Sequence, residues 1–128
     1  MTESAAPITQ EEVLAFVRDT IASVWELELL LLLSRSPDRR WTAKEIDREL
    51  RASETVVNAV LRRLRAAEIA AEPAEEQFQY RPVSPRTHEI VQALETAWRT
   101  NPISVVKAIL GAPDNKLKSF SDAFRLKE

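Results

Sequence analysis

Hydrophobic residues return at helical intervals in six stretches of this chain and at a strand interval in one. Val13, Leu14, Val17 and Ile21 form the first stripe, with Thr9 and Glu12 at the S/T-x-x-E spacing of a capping box. Residues 27–33, interrupted only by Glu28, are apolar all round, as in a helix covered on several sides, and Ser23 and Glu26 give that helix a similar start. Ala43, Ile46 and Leu50 follow a third capping-box pair, Thr42 and Glu45. Val57, Val60, Leu61 and Leu64 follow Ser53, a good N-cap. Ile90, Val91, Leu94 and Trp98 make a fifth stripe. A sixth helix has Pro102 at its first position and Ile103, Val106, Ile109 and Leu110 expected inside. Gly111, the only glycine, is expected to close it as a left-handed C-cap. Between the fourth and fifth stripes, Phe78 and Tyr80 alternate with Gln77, Gln79 and Arg81. Residues 69–72 and 77–82 therefore read as a hairpin around the turn Pro73-Ala74-Glu75-Glu76. Trp41 is expected in the core, on a short strand pairing with that hairpin.

Only Arg51 and Ala52 separate the third helix from Ser53, and so brief a connection makes two helices cross rather than run on. Helix, tight turn, helix and hairpin are the outline of a winged helix-turn-helix. The predicted fold is mostly α with a small β-hairpin, a winged helix-turn-helix flanked by N- and C-terminal helices. Residues 1–110 form its domain around a core motif at 24–82, and 111–128 a C-terminal amphipathic tail.

The outer face of helix 54–66 carries the candidate chemistry. Thr55, Asn58, Arg62 and Arg65 share one side. Asparagine pairs bidentately with adenine, arginine with guanine or phosphate, and threonine offers a hydroxyl and a methyl. The expected roles are base reading for Thr55, Asn58 and Arg62, and phosphate holding or docking support for Lys44, Arg63, Arg65 and Arg81. The competing reading is an ordinary solvated helix face. Charge distribution favours the first: residues 34–66 hold nine bases against five acids, although the 128-residue chain has a net charge of −2. A local excess of four positive charges supports selective or weak binding to nucleic acid rather than indiscriminate binding.

The run SETVVNAVLRRLRAAEIA resembles the recognition helix of the winged-helix family, and most closely of its MarR-like bacterial transcription regulators. The resemblance spans residues 24–82. It implies double-stranded DNA as partner, a homodimer built through the terminal helices, and room for a small-molecule effector that nothing here identifies. Two departures stand out. Glu68 occupies a position where many relatives have glycine, and Glu72, Glu75 and Glu76 make the wing acidic where relatives carry Lys or Arg.

Other classes find little support. Without cysteine there is no disulfide and no thiolate zinc site or nucleophile, and one histidine cannot make a histidine-rich metal centre. One glycine cannot build a glycine-rich phosphate cradle, and His88 beside Arg86 and Glu89 reads as a surface residue rather than a general base. The expectation is a non-enzyme with no cofactor and no metal. The leucine run is far short of the ~20 apolar residues that span a bilayer, and no secretory leader is evident, so a bacterial cytoplasm is expected. Leu117, Phe120 and Phe124 give the tail one apolar face among lysines and arginines, for its own domain, a second protomer or another protein. The rival function is therefore a winged-helix protein-interaction module that works through its acidic wing and this tail.

Overall fold

The computed structural model describes residues 7–111. Among these residues six helices and one antiparallel hairpin form two compact units, Glu28–His88 and a terminal unit of residues 7–27 together with 89–111.

In the terminal unit, α1 (Gln10–Thr20) begins with the expected capping box. Thr9 Oγ1 accepts the Glu12 N–H, and the Glu12 carboxylate accepts the Thr9 N–H. Val13, Val17 and Ile21 are buried and Leu14 half-buried, while the fifth stripe, on α5 (Pro85–Thr100), buries Val91 and Leu94 and half-buries Trp98. α1 packs on α6 (Pro102–Leu110). Pro102 sits at the first position of α6 as expected, but the buried face is Val105, Ala108 and Ile109. Ile103 and Leu110 are 67% and 69% exposed, contrary to the inward placement the pattern suggested. α6 carries apolar residues on two faces, and spacing alone cannot say which face is covered. Gly111 is a second correction. Its φ of −88° is not left-handed, although a Cβ there would come within 2.9 Å of the Lys107 carbonyl oxygen.

α2 (Val24–Arg35) starts at Ser23, whose Oγ accepts the Glu26 N–H. The Glu26 carboxylate reaches one residue further back, to the Ala22 N–H. Further along, Leu29, Leu30, Leu31 and Leu33 are buried in the inner unit, as their all-round apolar pattern requires. α3 (Ala43–Leu50) has the full Thr42–Glu45 capping box and buries Ala43 and Ile46, while α4 (Glu54–Ala66), capped by Ser53 Oγ, buries Val57, Val60, Leu61 and Leu64. The turn between them reverses at Arg51, which adopts φ 60° and ψ 49°.

α4 ends in a Schellman motif. The Ile69 N–H bonds the Leu64 carbonyl and the Glu68 N–H bonds the Arg65 carbonyl, with Glu68 at φ 64°. This explains why glycine is usual there. A side chain in the left-handed region costs roughly 1 kcal/mol or more. Glu68→Gly is expected to raise stability by about 0.5–1 kcal/mol in urea denaturation, and a loss of stability would refute that reading.

The hairpin pairs β1 (Ala70–Ala74) with β2 (Gln77–Tyr80), so its turn is two residues shorter than the sequence suggested and Pro73 lies within β1. Proline is tolerated because the register places a bulge there: Ala71 faces Gln79 and Ala74 faces Gln77, leaving Glu72 and Pro73 opposite Phe78. Phe78 turns both backbone groups the other way, exchanging 2.7 Å hydrogen bonds with Trp41, and asks no N–H of β1. Trp41 is thus on the expected short bridge, and it is buried.

Candidate nucleic-acid interface

Four buried residues hold α4 from inside and leave its other side to solvent. Thr55, Ala59, Arg62, Arg63 and Arg65 are exposed and Asn58 is half-buried. An open cleft of about 580 Å³ runs between this face, the start of α3 and the wing, lined by Lys44, Asn58, Arg62 and Arg65 with Thr42, Glu54, Glu72, Glu76 and Phe78. Four of the seven expected DNA-contacting residues are therefore brought together. Thr55 and Arg63 are exposed on α4 and do not line the cleft. Arg81, at the end of β2, bonds Gln79 Oε1 at 3.2 Å, while the Gln79 amide donates to the Pro37 carbonyl. Leu117, Phe120 and Phe124 lie outside the described residues.

Sequence reasoning passed over two parts of this surface. Ala59 lies between Thr55 and Arg62, and its methyl is small enough for a base edge or a thymine methyl to approach. Its outward place on the helical wheel was the available signal. The second is the partner of Arg65: its Nη1 lies 2.6 Å from Glu72 Oε1, and Glu72 Oε2 accepts the Glu76 backbone N–H at 2.8 Å. A seven-residue separation across a helix end and a strand follows no fixed spacing rule, so this pair is visible only in three dimensions.

Two aromatic arrangements brace the hairpin. The Arg39 guanidinium lies 3.5 Å from the centre of the Trp41 ring, a close cation–π contact, and 4.0 Å from Glu45 Oε1. Among the described residues the buried Trp41 indole N–H meets no acceptor. His88 is half-buried, and its Nδ1 lies 2.8 Å from the Tyr80 hydroxyl at the start of α5, where Ser84 caps the helix.

Burial pushes the Tyr80 phenol up to about 12. The neutral form is the one the fold favours, so this contribution to stability is complete below pH 10 and fades as pH rises toward 12. Tyr80 is the chain's only tyrosine. Absorbance titration should therefore give a midpoint near 12 in the folded protein and about 10 in denaturant, and coincident curves would contradict the burial.

Among the described residues no group of His, Asp or Glu is arranged to hold a metal ion, and no helix is long and apolar enough to cross a membrane. The adjacent α3 and α4, the αL reversal at Arg51 and the hairpin joined to Trp41 define a winged helix-turn-helix. Two solved structures share this fold. One is a MarR family protein of Mycobacterium tuberculosis, 21% identical, with a TM-score of 0.52 over 92% of this chain and 82% of that one. The other is a MarR family transcriptional regulator of Streptomyces coelicolor, 22% identical, with a TM-score of 0.54 over 91% and 79%. No protein-family profile matches the chain, and no curated protein does.

Proposed function

We propose that this chain is a sequence-specific DNA-binding transcription regulator of the bacterial cytoplasm, acting as a homodimer that lays α4 in the major groove. The observation that carries the reading is the segregation of α4, with Val57, Val60, Leu61 and Leu64 inside and Thr55, Asn58 and Arg62 outward, the last two lining a cleft shared with Lys44. The Streptomyces protein with this fold is described as a transcriptional regulator, which supports the assignment. Thr55, Asn58 and Arg62 read base edges, while Lys44, Arg63, Arg65 and Arg81 serve the phosphates or steady the docking. The role is binding, without catalysis. Ile103 and Leu110, exposed on the outer face of α6, supply apolar surface for a second copy. Twofold symmetry then matches a pseudo-palindrome with half-sites about 34–36 Å apart.

The test is to pass pooled genomic fragments over the purified full chain at low and moderate salt and sequence what is retained, with the molar mass measured by sedimentation. Enrichment of a pseudo-palindromic site by a dimer is expected, with binding that weakens as salt rises. No retention even at low salt would overturn the proposal, and a monomer that binds an asymmetric site would overturn its dimeric part.

A further inference from the structure

We propose that Glu72 masks Arg65: a wing carboxylate occupies the guanidinium that the end of α4 would otherwise lend to a DNA phosphate. The inference rests on the DNA-binding reading above and assigns the acidic wing a part in it.

The geometry distinguishes the fixed partner from the movable one. Glu72 is held at both oxygens, one 2.6 Å from Arg65 Nη1 and the other accepting the Glu76 N–H at 2.8 Å. Glu76 stands in the left-handed region at φ 62°, so the wing turn closes back on this carboxylate. The Glu72 side chain is 21% exposed and that of Arg65 59%. Arginine is thus the arm that can swing away. An ion pair open to solvent is weak, and a phosphate can accept from a guanidinium through two oxygens where Glu72 offers Arg65 one, so the pair is a mask and not a lock.

The neighbourhood points the same way. Lys44, Arg62 and Arg65 share their cleft with Glu54, Glu72 and Glu76, three cations against three carboxylates. Such a cleft has little net pull on a polyanion, and phosphate attraction is the part of binding that ignores sequence. With that part suppressed, base contacts from Thr55, Asn58 and Arg62 decide where the protein rests. The wing raises selectivity by subtracting from non-specific affinity. The opposite role would be a buttress, with Glu72 aiming Arg65 at the DNA, and it predicts the opposite sign.

The experiment compares the wild type with Glu72→Gln, whose amide oxygen still serves the Glu76 N–H, on a random-sequence duplex and on the site enriched from the genome. Fluorescence anisotropy is read across a salt series. Random-duplex affinity should rise about five- to tenfold near 0.1 M salt, with log K against log salt steeper by about 0.9, as for one added phosphate contact. Arg65→Ala should abolish the gain in the Glu72→Gln background, the coupling expected of residues acting as a pair. Weaker binding or an unchanged slope in Glu72→Gln overturns the mask and leaves the regulator standing. Binding by Glu72→Gln alone, with a silent wild type, supports the mask and removes the regulator reading. Silence from both at low salt overturns both.

Discussion

Truncating Leu61 to alanine is expected to lower the free energy of unfolding by about 2–5 kcal/mol, read as a shifted midpoint in urea denaturation. The side chain is fully buried, with Val57, Val60 and Leu64 on the same side of α4. Alanine loses the transfer energy of three carbons and leaves a void that close-packed neighbours fill only in part. Since native domains are stable by only about 5–15 kcal/mol, a loss of this size leaves little reserve. A cost below about 1 kcal/mol would mean that α4 is not seated through this face.

The next residue should behave in the opposite manner. Arg62 is one position on and exposed, so Arg62→Ala is expected to change stability by no more than about 0.5 kcal/mol. It should cost about 1–3 kcal/mol of operator binding, roughly a five- to 150-fold loss of affinity, if the guanidinium meets a guanine edge. A base-reading arginine also loses discrimination at one position of the site, whereas a phosphate contact weakens all sequences alike. Unchanged operator affinity would remove Arg62 from the interface. Leu61 and Arg62 together separate what holds the recognition helix in place from what it presents.

Local chemistry made much of this fold legible. Thr9, Thr42 and Ser53 sit where their hydroxyls cap helices, and the stripe from Val57 to Leu64 is the buried side of α4. Each of those signals is complete within about one helical turn or a few. The misjudged features depend on neighbours distant in sequence. Pro73 looked like a turn residue because only the Trp41–Phe78 bridge shows that a β1 residue there need not offer an N–H. The Tyr80 partner of His88 was not legible because it is on a strand. In the cleft, residue types announced Asn58 and Arg62, but nothing in their spacing announced that Glu72 would claim Arg65.

Arg51 at the exit of α3, Glu68 at the exit of α4 and Glu76 at the wing tip all hold left-handed backbone without being glycine. A side chain narrows that well, so each joint has fewer neighbouring conformations to visit than a glycine hinge would have. These joints set the angle between the two helices and the course of the hairpin. On the DNA-binding function proposed above, a duplex would meet a shape largely fixed in advance, and the ordering entropy that flexible readers lose on docking would already be lost when the chain folds.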